Sequence, residues 1–405
     1  MTKTKQYVQY KYKVEMTYID SVKNRNTKIR TECIKSLIID HNYDVNCMPI
    51  LFTTMDLDKA LVDNMIINMN TNLFIVAVYR LNNLSTTKEE VLVFRDKFTY
   101  FLSDDVNKHS ILDYNEENIE ENQGNIFKHI VMGLMSLSNI DKNKRSLEFS
   151  MINCTMYDCV RYCTSHYNNL VIEPFSFNET NNRIILPPQN SVNSALRYLN
   201  SYRVFYYTPY RFYEDLNYTY LISSSGRAIP KKDEKVSSIL IRISDIQYNE
   251  SRDVGMQVDP TSNSCEILVN YADTTIFDNT LSNKSRTKLR GISTNGVQEK
   301  QLTHTAPYLK DKVKNIRLFN DNDNTIYNLE ADSNSKNVII SFSKNDLDME
   351  LLTINKKISV KLIDRYKQHN GEYLLYRKKE CLIREDERFS ITSIVNLRKI
   401  DENIE

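Results

Sequence analysis

Cys154, Cys159, Cys163 and His166 come nearest to a reactive or metal-binding set in this chain. On a helix Cys159, Cys163 and His166 stand at i, i+4 and i+7, which is one face, and zinc accepts thiolate and imidazole ligands. Structural zinc sites usually pair two CxxC or CxxxC knuckles from different elements, and no second cysteine pair lies nearby. Core packing is therefore the favoured reading, since free cysteine is among the most buried residue types. Cys47 with His41 lacks the local context of a nucleophile and its base. Asp40, Asp44, Asp56 and Asp58 are close in sequence, but helix caps and solvated turns account for them more simply than a carboxylate pair. The histidines at 41, 109, 129, 166, 304 and 369 fall in no nucleophile–base pattern. GxSxG, HExxH, Walker and GxGxxG motifs are all missing. No catalytic, cofactor-binding or metal-ligating residue is assigned, and no enzymatic activity is expected.

Basic clusters at residues 284–290 and 377–379 occur in a chain rich in tyrosine, a combination that can hold single-stranded nucleic acid by charge and stacking. Most of the tyrosines fall on alternating strand positions, which points to packing and to interfaces, where Tyr offers contact area with a polar tip. The balance of 53 Lys+Arg against 52 Asp+Glu, net +1, makes no global field for nucleic acid or an anionic membrane. The longest apolar run, residues 73–79, is far short of a bilayer span. No apolar segment follows the basic N-terminus, so no signal peptide is expected. Seven scattered cysteines suggest free thiols in a reducing compartment. Only 7 glycines among 405 residues disfavours the glycine-rich loops that cradle phosphates. That length suggests two to four domains.

The elements that would carry these residues are mostly strands. Residues 9–18 alternate strictly, with Tyr10, Tyr12, Val14, Met16 and Tyr18 on one face. Further strands are expected at 34–40 and 50–54, then a helix capped by Asp56 with Leu57, Leu61, Met65 and Ile66 as its stripe. Strands at 73–81, 90–94 and 98–102 follow, then an acidic loop at 113–124 and a short helix over 126–137. Between 145 and 235 the pattern becomes mixed: a strand at 147–152, a helix over 155–168 capped by Thr155, and short strands at 170–172 and 184–186. A helix capped by Ser191 with Ala195, Leu196 and Leu199 inward leads to strands at 204–208, 211–214 and 218–222. The last third returns to strands: Ile239, Ile241 and Ile243 alternate, as do Ile358, Val360 and Leu362, and 338–342, 373–376 and 391–397 are further strands. Residues 271–336 are polar with little periodicity and read as an irregular insertion.

One stretch is specific. Asn190-Ser191-Val192-Asn193-Ser194-Ala195-Leu196-Arg197-Tyr198-Leu199 resembles the helix before a hairpin in the baseplate hub proteins of contractile-tailed phages. Late-control tail proteins and the spike proteins of related injection machines share that element. Tyr202-Arg203-Val204-Phe205-Tyr206-Tyr207 resembles their aromatic exit from the helix, and Tyr218-Thr219-Tyr220-Leu221-Ile222-Ser223 is similar to a hub strand. The segments at 358–363, 369–376 and 389–397 resemble the closing strands of the family's second tube-like barrel.

The resemblance implies an α+β, mainly β fold with two tail-tube-like β-barrel domains and a small α/β domain between them. Residues 1–112 would form the first barrel, 113–144 an acidic linker with a short helix, 145–235 the α/β hub domain, and 236–405 the second barrel with its insertion at 271–336. It implies a structural virion protein of the tail baseplate, assembled in the host cytoplasm. This would be a homotrimer joining the six-fold tail tube to the three-fold central spike, touching other baseplate proteins, with genomic DNA passing through its channel. It implies no cofactor and no membrane segment. A tail-associated cell-wall hydrolase or its targeting domain, and a nucleic-acid-binding viral protein, are the alternatives.

Overall fold

The computed structural model of the chain describes residues 10–43, 48–81, 90–102, 127–167, 169–176, 178–203, 205–206, 210–223, 238–244, 256–259, 264–278, 284–293, 296–305, 312–317 and 338–400. Strand β1 (Lys11–Asp20) carries out its alternation: Tyr12, Val14, Met16 and Tyr18 are buried, with half-buried polar residues between them. It turns back as β2 (Arg25–Ile29), and β3 (Ile34–Asn42) and β4 (Ile50–Asp58) follow. Helix α1 (Lys59–Ile67) is capped by Asp58, whose carboxylate accepts from the Ala60 amide at 2.8 Å. The expected cap, Asp56, stays in β4, because that strand runs on in register with its neighbour and Asp56 faces His129 there. Strands β5 (Leu73–Leu81), β6 (Glu90–Leu102) and β7 (Phe127–Ser136) complete the first run.

The helix expected over 126–137 is instead β7, hydrogen-bonded on both sides, to β4 and β6. Its short apolar run satisfies either period, and two waiting strand edges decide the outcome. The acidic stretch at 113–124 lies outside the described residues.

The inserted unit holds helix α2 (Leu137–Asn143), β8 (Leu147–Cys154), α3 (Met156–Cys163), β9 (Leu170–Ile172), β10 (Asn181–Gln189), α4 (Val192–Tyr202), β11 (Tyr210–Glu214) and β12 (Thr219–Ser223). Thr155 and Ser191 each form a capping box, with Asp158 and Ser194. Helix α3 stops at Cys163, earlier than expected. Phe205 and Tyr206 lie in bends, and the rest of the expected strand at 204–208 is outside the described residues. Strands β8 and β10 pair as one ribbon, and β11, β12 and β9 as a small sheet.

The final run is β13 (Ser238–Ser244), β14 (Met256–Asp259), β15 (Ser264–Asn270), β16 (Thr274–Asp278), β17 (Lys284–Ser293), β18 (Gly296–Thr305), β19 (Lys312–Arg317), β20 (Val338–Asn345), β21 (Lys357–Lys361), β22 (Gly371–Glu385) and β23 (Arg388–Lys399). The region read as an irregular insertion thus holds strands β16 to β19. Backbone pairing needs no apolar alternation, so polar strands escape a hydrophobic reading.

Pairing closes an eight-strand antiparallel barrel in the order β1, β5, β6, β7, β4, β3, β22, β23 and back to β1. Its strands fall within the expected 1–112 and also at Phe127–Ser136 and on the hairpin of β22 and β23 near the C-terminus. Past a bulge between Leu375 and Arg377, β22 leaves β3 and pairs with β21, while β23 pairs with β20 from Thr392 to Arg398. Strands β15, β13, β21, β22, β23, β20 and β16 then line a second apolar core containing Ile241, Ile267, Phe342, Tyr373 and Leu397, and β14 pairs with β15 at one end of the sheet. Among the described residues β14 and β16 remain its two ends, so hydrogen bonding closes one of the two expected barrels.

Candidate functional site

The geometry keeps the three sulfurs in one core and takes His166 away from them. Cys154, Cys159 and Cys163 are buried in the core of the inserted unit beside Val160, Leu186 and Leu199. Cys154 Sγ and Cys159 Sγ are 3.8 Å apart. Burial pushes the Cys163 thiol up to about 12 and that of Cys159 higher, which keeps both protonated and inert. His166 faces away: Arg145 donates to its Nδ1 at 3.1 Å, and its Nε2 donates to the Lys142 carbonyl at 3.0 Å. Burial, with Arg145 and Lys142 nearby, holds that imidazole below its usual value. Among the described residues no group of three His, Cys, Asp or Glu could hold a metal ion. Asp40 accepts from Arg377 and pairs with Lys379 at 3.7 Å. Asp56 pairs with Lys35 and His129, and Asp58 is a cap. Asp44 and Cys47 lie outside the described residues.

A different set of residues converges at the junction of the closed barrel, the second core and the inserted unit. His41 projects from β3, and Lys378 and Glu380 from β22 on the inward phase shared with Leu382. The hairpin of β11 and β12 brings Tyr213 and Asp215. Tyr213 Oη lies 3.1 Å from His41 Nδ1, with Asp215 3.7 Å from the same nitrogen. On the other side of the ring, Glu380 is 3.4 Å from Nε2, and Lys378 Nζ is 2.8 Å from Glu380. Lys378 also donates to the Met349 carbonyl at 2.8 Å. Burial alone would raise the Glu380 carboxyl, but Lys378 and His41 outweigh it and hold it below the ordinary value. Burial, reinforced by Asp215 and Glu380, pushes the neighbouring Tyr43 phenol well up.

More contacts seat the same hairpin. Arg211 donates to the Leu375 carbonyl at 2.9 Å, beside the bulge, and Asn217 to Val93 in β6 at 2.7 Å. Glu214 takes Lys142 at 2.6 Å. Tyr213, Tyr220 and Ile222 belong to the second core, whereas Leu221 belongs to the core of the inserted unit, so one short hairpin is shared by two cores. The cavity beside His41, Asp215, Lys378 and Glu380 has about 50 Å³. That admits a few waters and falls well below the roughly 300 Å³ at which ligand pockets begin. The cluster is therefore a brace between units, and its ionic groups are used on one another.

Sequence reasoning missed this brace. The one signal was phase: counting back from Leu382 in steps of two places Glu380 and Lys378 inward, against the expectation for charged residues. Nothing local points from them to His41 or Asp215.

The chain is thus a closed antiparallel barrel that shares a hairpin with a second β core and carries a small inserted α/β unit. The tail protein from Neisseria meningitidis MC58 is similar in fold, with a TM-score of 0.52 at 9% identity, covering 97% of each chain. The 43 kDa tail protein of prophage MuSo2 from Shewanella oneidensis scores 0.46 at 10% identity, over 94% of this chain and 98% of that one. A chain of the Francisella PdpA-VgrG complex scores 0.45 at 10% identity, over 98% of this chain and 59% of that one. The chain belongs to the family described as Bacteriophage PBS1 gene 109 protein, whose family model matches residues 5–400. No curated protein matches it. The family is thus that of a bacteriophage protein, and the fold is one also found in a tail protein. No helix among the described residues is long and apolar enough to cross a membrane.

Proposed function

We propose that the chain is a trimeric hub at the baseplate, joining a six-fold tail tube to a three-fold central spike and surrounding the channel through which the genome passes. The observation that carries this reading is the β22–β23 hairpin, which threads two β cores in succession. A chain with two barrel-type units presents six in a trimer, which is what a protein between six-fold and three-fold partners requires. The braced β11–β12 hairpin supports the reading, since a hub transmits load and its units must hold a constant orientation. In this reading residues 145–235 form the hub's α/β domain, and its neighbours are tube, spike and other baseplate proteins in a particle assembled in the host cytoplasm.

Light scattering on the purified protein, with electron microscopy of its particles, tests the proposal. A species of three times the chain mass, with six pseudo-equivalent densities around an axis, is expected. A monomer at every concentration would overturn it.

A further inference from the structure

Strands β17, β18 and β19 form a three-stranded sheet that pairs with no other strand among the described residues. In β17, Lys284, Arg286, Lys288 and Arg290 occupy alternate positions, level with Thr305, Thr303, Gln301 and Glu299 of β18. Alternate positions share a face. Arg317 of β19 is level with Ile292 and so falls on that same face. One face therefore takes five basic positions and a single acidic one. Over the three strands, eight Lys or Arg against one Glu give +7, while the whole chain is +1, leaving −6 for everything else. These three strands thus carry a net positive excess while the rest of the chain is net acidic.

We propose that this ribbon docks on the phosphate backbone of duplex DNA. Alternate residues of a strand recur every ~6.6–6.8 Å, about twice the ~3.4 Å rise per nucleotide of one DNA strand. Four successive basic positions can thus keep step with every second phosphate. Thr303, Thr305, Gln301 and Asn315 stand on the same face, and such residues donate to phosphate oxygens. A β-ribbon is also an element that a DNA groove admits. An anionic membrane is the less suitable partner, because surface-bound segments add large apolar or aromatic anchors and these strands hold no Phe, Tyr or Trp. The inference stands apart from the hub reading: a trimer without DNA affinity and a DNA-binding monomer are distinguishable outcomes.

The test uses the full chain with a fluorescent 30-base-pair duplex across a salt series. Four to five phosphate contacts predict a slope of log K against log salt of about −4, a loss of roughly 250-fold between 50 and 200 mM salt. The variant Lys284→Gln/Arg286→Gln/Lys288→Gln/Arg290→Gln is expected to lose most of that slope and at least about tenfold in affinity at low salt. Arg290→Gln alone, which leaves the ribbon's pairing untouched, should shorten the slope by about one. A control removing equal charge elsewhere, Lys23→Gln/Lys28→Gln/Lys59→Gln/Lys367→Gln, should bind within about twofold of the parent. No duplex retained at 50 mM salt, an equal loss in the control, or preference for phosphatidylglycerol vesicles over duplex would each overturn the proposal.

Discussion

Lys378 and Glu380 show how much a single position can carry. Their side chains are 3% and 2% exposed and pair at 2.8 Å, with His41 closing the far side of the carboxylate. Removing one member of a buried pair leaves the other charge without compensation, at a cost of about 3–5 kcal/mol. Lys378→Met should therefore lower the unfolding free energy read from urea denaturation by that amount. The double variant Lys378→Met/Glu380→Met should recover much of the loss, because two apolar side chains leave no uncompensated charge. A double variant as unstable as the single one would show that the cluster acts through something other than this pair. The residues that sequence alone made conspicuous behave differently. Cys159, Cys163 and His166 keep helical spacing, but α3 ends at Cys163, so His166 leaves the shared face and binds Arg145 and Lys142 instead.

At the scale of elements, β7 is held between β4 and β6 by a row the pairing makes explicit. Gly133 stands level with Phe52 on one side and Phe101 on the other. With no side chain between them, the two rings meet edge to face at 6.5 Å, and the Phe101 ring lies over the glycine. A Cβ at 133 would collide with that ring. Gly133→Val should cost about 1–3 kcal/mol, the usual range for overpacking, despite the better strand propensity of valine. Gly133→Val combined with Phe101→Ala should be less destabilised than the sum of the two changes, as read by chemical denaturation. Element type was legible where an apolar alternation stood out: β1, β13 and β21 alternate as written, and both capping boxes sit at Thr155 and Ser191, whereas the equally one-sided β15 was not read. It was not legible for β7, whose apolar run fits either period, nor for polar strands such as β17 and β18.

The whole molecule responds to acid through its paired carboxylates. Burial would raise Glu15 and Asp56, but Lys13 and Lys28 hold the first below its ordinary value, and His129 and Lys35 the second. Glu385 is lowered by Lys11, Asp158 by the Thr155 hydroxyl and amide, Asp20 by the Lys23 amide, and Glu380 as described. A carboxylate whose folded value is depressed contributes stability that is complete above its unfolded value, here 3.8 for Asp and 4.5 for Glu, and is lost as pH falls through the folded value. Burial raises Glu214 and Asp346, so acid relieves a penalty at those two. Six against two sets the sign: the melting temperature should drop steadily below about pH 4.5. A melting temperature unchanged down to about pH 3 would contradict the pairing described.

By itself the sequence determined the local terms: which faces of the strands are apolar, where α3 and α4 begin, the lack of a recognised catalytic motif, and the aromatic hairpin after α4 that resembles a tail hub. Those properties depend on neighbours within a few positions, where alternation and capping act. Only the tertiary structure decided that β22 and β23 close the barrel begun by β1, that the same hairpin serves a second core, and that His41 meets Glu380 across more than three hundred residues. Hydrogen-bonded edges and buried charges find their partners in space, and their distance along the chain carries no trace of the match.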